Sequence, residues 1–104
     1  MDSPSAISDP IGQLLFRVAP LKQNSAHEIK RQFGRRLREV RRLKGVSQEQ
    51  LALRSDLDRS YVGQVERGER NLTLVNIYRL ASGLAVEPFV LLESVGGSIP
   101  QKRR

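Results

Sequence analysis

Four polar side chains that can hydrogen-bond to DNA bases lie within one short stretch of the sequence. They are Arg59, Ser60, Gln64 and Arg67. An arginine can donate two hydrogen bonds to guanine, and a glutamine can pair in the same way with adenine. A helix over this stretch would turn Val62 and Val65 to the opposite side. The spacing therefore predicts a base-reading helix face, although such residues are in general more often plain surface side chains.

These side chains lie in the stretch from residue 48 to residue 67. Its sequence, QEQLALRSDLDRSYVGQVER, contains two short helical patterns separated by about four residues. Apolar positions connect the two patterns: Leu51, Ala52, Leu57, Val62 and Val65. Such a pair of helices is a helix-turn-helix, in which the second helix projects from the domain and can enter the major groove.

Charge favours a polyanionic partner. The chain has 104 residues and a formal net charge of +7, and residues 30–44 contain eight basic side chains against the single acid Glu39. A basic surface of this kind attracts nucleic acid. The basic run is read as an electrostatic flank of the helix-turn-helix, and the alternative is an ordinary solvated helix face.

Other function classes find little support. The sequence has no cysteine and one histidine, His27, so no ready metal site, cofactor site or catalytic group is expected. No apolar run approaches the roughly 18 residues that span a bilayer, and the expected location is the cytoplasm. Few aromatic side chains are available to stack on bases, which disfavours RNA. We expect a DNA-binding protein that is not an enzyme.

The pattern divides the chain into three parts: an apolar N-terminal arm (1–24), a helical domain (25–93) and a flexible basic tail (94–104). Within the arm, Asp9 and Pro10 can start a short helix that Pro20 stops, and a short strand is the alternative. In the domain, Ser25 and Glu28 form a capping-box pattern at the start of the first helix. Gly45 ends that helix.

Four apolar side chains mark the buried stripe of the first helix: Ile29, Phe33, Leu37 and Val40. Arg36 falls within this stripe, and we expect its guanidinium to extend outward to solvent. Further helices are predicted over about 48–54, 59–66 and 74–82, with N-caps at Ser47, Asp58 and Thr73. The inner face of the fourth is predicted to contain Leu74, Ile77, Ala81 and Leu84.

A short fifth helix follows Glu87 and Pro88. We expect Phe89 and Leu92 to point inward, which leaves Val90 and Leu91 as a dimer contact. The sequence therefore predicts an all-α fold of five helices.

Residues 33–92 resemble the Cro/C1-type helix-turn-helix family of transcriptional repressors. The likeness rests on Leu37, Arg41, Gly45, Ser47, Gln48, Leu51, Ala52, Tyr61, Val62, Val65, Glu66, Arg67, Gly68, Asn71, Leu72, Leu80 and Ala81. The resemblance implies a compact lambda-repressor-like domain that binds double-stranded DNA as a homodimer at an inverted repeat. The region around residues 58–77 looks most like the controller proteins of restriction–modification systems.

The same resemblance implies roles for individual residues. Arg41 and Glu66 would form a partly buried ion pair between helices, with Arg41 also within reach of a phosphate. Gln48 would contact a phosphate, and Tyr61 is assigned the same role. Arg70 and Asn71, in the loop before the fourth helix, are expected to form a second phosphate contact, and the alternative for Asn71 is that it caps the loop. An antitoxin-type protein, which binds a partner protein and represses its own operon, is the alternative function.

Three positions depart from the family pattern. Asp56 stands where glycine is usual, and aspartate tolerates the left-handed conformation better than most residues. Ser55 replaces an apolar residue, which predicts looser packing there. Gly63 lies in the middle of the base-reading helix, where glycine costs up to about 1 kcal/mol relative to alanine.

Overall fold

Five α-helices form the part of the chain that the computed structural model describes, residues 23–93 and residue 95. They are α1 (Gln23–Leu43), α2 (Gln48–Ser55), α3 (Arg59–Glu66), α4 (Leu74–Leu84) and α5 (Pro88–Leu92). The all-α, five-helix prediction is confirmed, and the described range contains no strand. The predicted arm helix and basic tail lie outside the described residues.

The helix ends follow local side-chain chemistry. Ser47 Oγ accepts a hydrogen bond from the Gln50 amide at 3.0 Å, and Gln50 Oε1 accepts one from the Ser47 amide at 2.9 Å, which confirms Ser47 as the N-cap of α2 and forms a capping box. Thr73 Oγ1 caps α4 in the same way through the Asn76 amide. Asp56 ends α2 at φ 58°, the left-handed conformation that was predicted for it.

The capping box predicted at Ser25 is wrong, and the N-cap predicted at Asp58 is confirmed in position only. Helix α1 begins at Gln23, so Ser25 lies inside its first turn, and the Glu28 carboxylate accepts from Arg31 and Gln32 further along the helix. Asp58 occupies the N-cap position of α3, but its side chain makes no capping hydrogen bond.

The core is a single cluster to which all five helices contribute. Its members include Phe33, Leu37, Val40, Leu51, Ala52, Val62, Val65, Leu80, Ala81, Leu84 and Leu91. The α4 prediction needs one correction, because Leu74 is 69% exposed. The buried stripe of α4 starts one turn later, at Ile77, and continues through Leu80, which is fully buried. Leu74 lies in the first turn, beyond the edge of this core.

The orientation of α5 is opposite to the prediction. Leu91 is fully buried, whereas Phe89 is 64% and Leu92 45% exposed. Arg36 accounts for part of this orientation: its Nε donates to the Val90 carbonyl at 2.8 Å, and its Nη2 donates to Glu93 Oε1 at 2.7 Å. Leu91 therefore packs inside its own domain, and the predicted dimer contact at Val90 and Leu91 is wrong for Leu91.

Arg36 itself behaves differently from the prediction. Its side chain is only 19% exposed, and it joins α1 to the Val90 carbonyl within α5 and to the Glu93 carboxylate directly after that helix. A guanidinium carries five donors, so it can satisfy a backbone carbonyl and carboxylates at once. The basic residue within the apolar stripe is thus a connection between two helices.

Two contacts require small residues. A Cβ at Gly34 would collide with the backbone carbonyl oxygen of Val65 and would lie 2.6 Å from that of Glu66, so α1 and α3 cross backbone to backbone. A Cβ at Gly83 would collide with Ser55 Oγ, and Ser55 is only 3% exposed. The α2–α4 contact is therefore tight, and the looser packing expected at Ser55 is wrong.

We expect Gly34→Ala to destabilise the domain by about 1–3 kcal/mol, because the added methyl group forces α1 away from α3. Gly63→Ala is the matched control, since its methyl group would meet the flexible ends of side chains and no backbone atom, at 3.2 Å from Arg67 and 3.9 Å from Gln48. Urea denaturation followed by circular dichroism measures both. Equal stability of Gly34→Ala and the wild type would contradict the close crossing.

Candidate nucleic-acid interface

The Glu66 carboxylate at the end of α3 is buried and doubly bonded to Arg41. Its side chain has no exposed surface, and that of Arg41 is 12% exposed. Arg41 Nε donates to Oε2 at 2.5 Å and Nη2 donates to Oε1 at 3.1 Å. A third donor, Nη1, bonds the Val46 carbonyl at 2.9 Å. The predicted ion pair between α1 and α3 is confirmed, with the two-point geometry that makes such pairs strong.

Two further side chains donate to the same carboxylate. Gln48 Nε2 lies 2.9 Å from Glu66 Oε1, and Arg38 Nε lies 3.3 Å from that atom. Neither contact was predicted. The signal for Arg38 was its position one helical turn before Arg41 on α1, which places both guanidinium groups on one side of the helix. We call Arg38, Arg41, Gln48 and Glu66 the Glu66 cluster.

The Glu66 cluster keeps its carboxylate ionised. Burial raises the pKa of Glu66, but the hydrogen bonds from Arg41 and Gln48 and the charges of the arginines outweigh it, so the pKa lies below its ordinary value of 4.5. One carboxylate then faces two guanidinium groups, which leaves a net charge of about +1 beside the N-terminus of α2. That position suits an anion, since the helix end also offers free backbone N–H groups.

Helix α3 presents the polar face that the sequence predicts. Val62 and Val65 are buried, whereas Arg59, Ser60 and Arg67 are exposed. Gln64 is half-buried on the same helix. The structure thus separates an apolar side that holds α3 on the domain from a side with free hydrogen-bonding capacity.

Gly63 has a packing role in this face. It is buried, and a Cβ built there would lie 3.2 Å from Arg67 Nη1 and 3.9 Å from Gln48 Oε1. The Arg67 side chain, one turn further along the chain, and the Gln48 side chain of α2 therefore both extend over the glycine. The absence of a side chain at position 63 allows both to lie close to the helix backbone.

Tyr61, Arg70 and Asn71 lie beside the start of α4. The Tyr61 hydroxyl accepts a hydrogen bond from Asn76 Nδ2 at 3.0 Å, and the Arg70 guanidinium lies 4.9 Å from the centre of the Tyr61 ring. This is within the range of a cation–π contact. Arg70 and Asn71 are exposed, so the structure leaves their polar atoms accessible.

The profile of the helix-turn-helix family matches residues 37–91. Control protein C.BamHI of Bacillus amyloliquefaciens is 39% identical over 79 residues, which cover 74% of this chain and 98% of that protein. The chain belongs to the helix-turn-helix family. Control protein C.MunI of a Mycoplasma species is 41% identical over 61 residues, or 58% of this chain and 82% of that protein.

Solved structures agree with this placement in the helix-turn-helix family. The restriction–modification controller protein C.AhdI of Aeromonas hydrophila superposes with a TM-score of 0.59 at 61% identity. The match covers 60% of this chain and 94% of that structure. The resemblance to Cro/C1-type regulators, and to controller proteins among them, is confirmed.

In helix-turn-helix terms, α2 and α3 are the two helices of the motif and Asp56 to Asp58 form the turn between them. Helix α3 is the element that this motif places in the major groove. None of the helices in the described range is long and apolar enough to cross a membrane.

We expect Glu66→Gln to lower the free energy of unfolding by about 3 kcal/mol at pH 7, because it leaves the buried Arg41 without a counter-charge. The pKa of Glu66 is lowered in the folded state, so its stabilising effect is complete above about pH 4.5 and is lost as the pH falls through the lower folded value. The variant should therefore lose less stability than the wild type on acidification.

Glu39→Gln is the matched control for this experiment. Glu39 is 61% exposed and pairs with Arg36 at 3.1 Å, so its loss should cost less than about 1 kcal/mol. Thermal unfolding between pH 7 and pH 3 measures all three proteins. Identical pH dependence in Glu66→Gln and the wild type would show that the Glu66 cluster does not stabilise the fold.

Proposed function

We propose that this protein is a homodimeric, sequence-specific transcriptional regulator that binds an inverted-repeat operator and controls its own promoter, as part of a restriction–modification system. The proposal rests on the exposed polar residues of α3 and on the way this helix is anchored. Arg59 and Ser60 lie on its exposed face, exposed Arg67 follows it directly, and its last residue, Glu66, is anchored through a buried carboxylate. The named controller proteins support the regulatory role over an antitoxin role. Such a protein acts in the cytoplasm.

Base recognition is assigned to one side of α3. Arg59 and Arg67 supply guanidinium groups for guanine, Gln64 supplies an amide for adenine, and Ser60 supplies a hydroxyl. The side chains of Arg59 and Arg67 are 60% and 56% exposed, so neither needs the fold to open before it enters the groove. Their anchorage on one rigid helix would give a fixed register on the bases.

Phosphate contacts are assigned to the flanks of the motif. The first-turn N–H groups of α2, next to Gln48, can donate to a phosphate. The positive charge of the Glu66 cluster lies beside them. Because the Tyr61 hydroxyl accepts from Asn76, its own hydrogen is available for a phosphate oxygen. Arg70 and Asn71 are exposed in the loop before α4 and could hold the same strand.

We assign the dimer contact to exposed apolar side chains of α4 and α5. Val75 and Tyr78 on α4 are 61% and 57% exposed, and Phe89 and Leu92 on α5 remain uncovered in the isolated domain. Large apolar side chains exposed together are typical of a protein–protein contact. A two-fold axis through this surface would present two α3 helices to half-sites about 34 Å apart.

We expect Phe89→Glu to convert the dimer into a monomer at micromolar concentration, because it places a charge in the proposed apolar contact. Leu53→Glu on α2 is the matched control: Leu53 is 83% exposed and lies outside this surface, so the variant should remain dimeric. Sedimentation velocity distinguishes the two. A wild type that sediments as a monomer with and without DNA would reject the dimer.

Selection of bound sites from a random DNA pool tests the proposed function directly. Sequence-specific binding should enrich an inverted repeat whose half-sites are one helical turn apart. A pool that shows no enrichment after repeated rounds would reject specific recognition.

On the selected operator, we expect Arg59→Ala to cost about 1–3 kcal/mol and to relax the preference at one base position. Gln48→Ala should instead weaken binding to operator and random DNA alike, because its effect is on the phosphate contacts. Fluorescence anisotropy with both duplexes measures the difference. Equal losses for Arg59→Ala on both duplexes would make Arg59 a phosphate contact.

A further inference from the structure

Each of the two arginines assigned to base recognition already faces a carboxylate of its own chain. Arg67 donates from Nε to Glu69 Oε2 at 2.9 Å and from Nη2 to Oε1 at 3.3 Å. Arg59 Nε lies 3.6 Å from Oε2 of Glu49, in the first turn of α2. The two acids come from different segments, one before α3 and one after it.

We propose that Glu49 and Glu69 are specificity-determining residues that reduce binding to non-operator DNA by occupying the guanidinium groups of Arg59 and Arg67. The inference rests on the proposed function, since it assumes that these arginines face DNA. Neither glutamate needs to touch a base, and each acts on recognition through the arginine that it holds.

A free guanidinium group can bind the phosphates of DNA of any sequence. Contacts between arginine and phosphate supply most of non-specific affinity. A carboxylate bonded to the guanidinium competes with a phosphate oxygen for the same donors, and its charge repels the phosphate. On the operator, a two-point contact with guanine replaces the carboxylate. The carboxylate therefore lowers the affinity mainly for DNA that lacks the correct base.

The Arg67–Glu69 pair is held in place by the turn between its members. Gly68 has φ 77°, and a Cβ there would lie 2.7 Å from Cγ of Arg31 on α1, so the turn packs directly against that helix. Nη1 of Arg67 lies over Gly63 on α3. The pair thus stays on the base-reading face. The hydrogen bond from Arg67 lowers the pKa of Glu69, so the carboxylate is charged at neutral pH.

The test compares Glu49→Gln, Glu69→Gln and the double variant with the wild type on two duplexes, the selected operator and a scrambled sequence. Glu39→Gln is the matched control, because it removes the same charge from an exposed glutamate that pairs with an arginine of α1, away from α3. Affinities are measured by anisotropy over a series of salt concentrations. All three glutamates are exposed, and equal melting temperatures will show that each variant is folded.

We expect each single variant to bind the scrambled duplex about 3–10 times more tightly and the operator less than about 2 times more tightly. The slope of log K against log salt on the scrambled duplex should steepen by about 1 for each freed arginine. Glu39→Gln should leave two quantities at wild-type values: the ratio of operator affinity to scrambled-duplex affinity, and the salt slope. If Glu49→Gln and Glu69→Gln both keep the wild-type ratio of operator affinity to scrambled-duplex affinity, the inference is overturned.

Two further outcomes separate the possible failures. If Glu39→Gln raises scrambled-duplex affinity as much as Glu69→Gln does, the effect is one of net charge, and the inference is wrong. If the wild type itself does not distinguish the two duplexes, the proposed function fails. Discrimination by the wild type that is unchanged in the variants rejects the inference alone.

Discussion

The orientation of α3 depends on a buried, ionised carboxylate. Taking the charge of Glu66 out of water is expensive unless several donors replace the water. Those donors are available only where Arg41 of α1 and Gln48 of α2 meet the end of α3. A shift of α3 would leave the carboxylate or the half-buried Arg41 without a partner. Electrostatics therefore restricts the position of the helix more narrowly than apolar packing alone, which tolerates small displacements.

The Glu66 cluster works only because α1 and α3 approach each other closely. Gly34 permits backbone contact between the helices, and Arg38 and Arg41 follow it one and two turns later on the same side of α1. A larger residue at position 34 would separate the helices at the point from which both guanidinium groups extend. The close backbone contact at Gly34 and the ion pairs of the Glu66 cluster thus both fix the same crossing of α1 and α3.

Local signals in the sequence were sufficient for most of the fold and part of the site. Caps at Ser47 and Thr73 depend on neighbouring residues, and the Val62–Val65 spacing identified the exposed face of α3. The orientation of α5 could not be obtained in this way, because five residues are too few for a helical period to show. Its partner Arg36 is distant in sequence. The hydrogen bond from Gln48 to Glu66 and the close crossing at Gly34 likewise form only when separate helices pack together. Local sequence signals therefore do not reveal them.

Helix α1 connects the two surfaces that a bound dimer would need. Arg36 holds α5, where the proposed dimer contact lies, and Arg41 holds α3; both belong to one continuous helix and are only about 8 Å apart along its axis. The separation of two α3 helices would then be nearly fixed. One added base pair between half-sites moves the second by about 3.4 Å and turns it by about 35°. The proposed dimer would therefore accept a single spacing between half-sites.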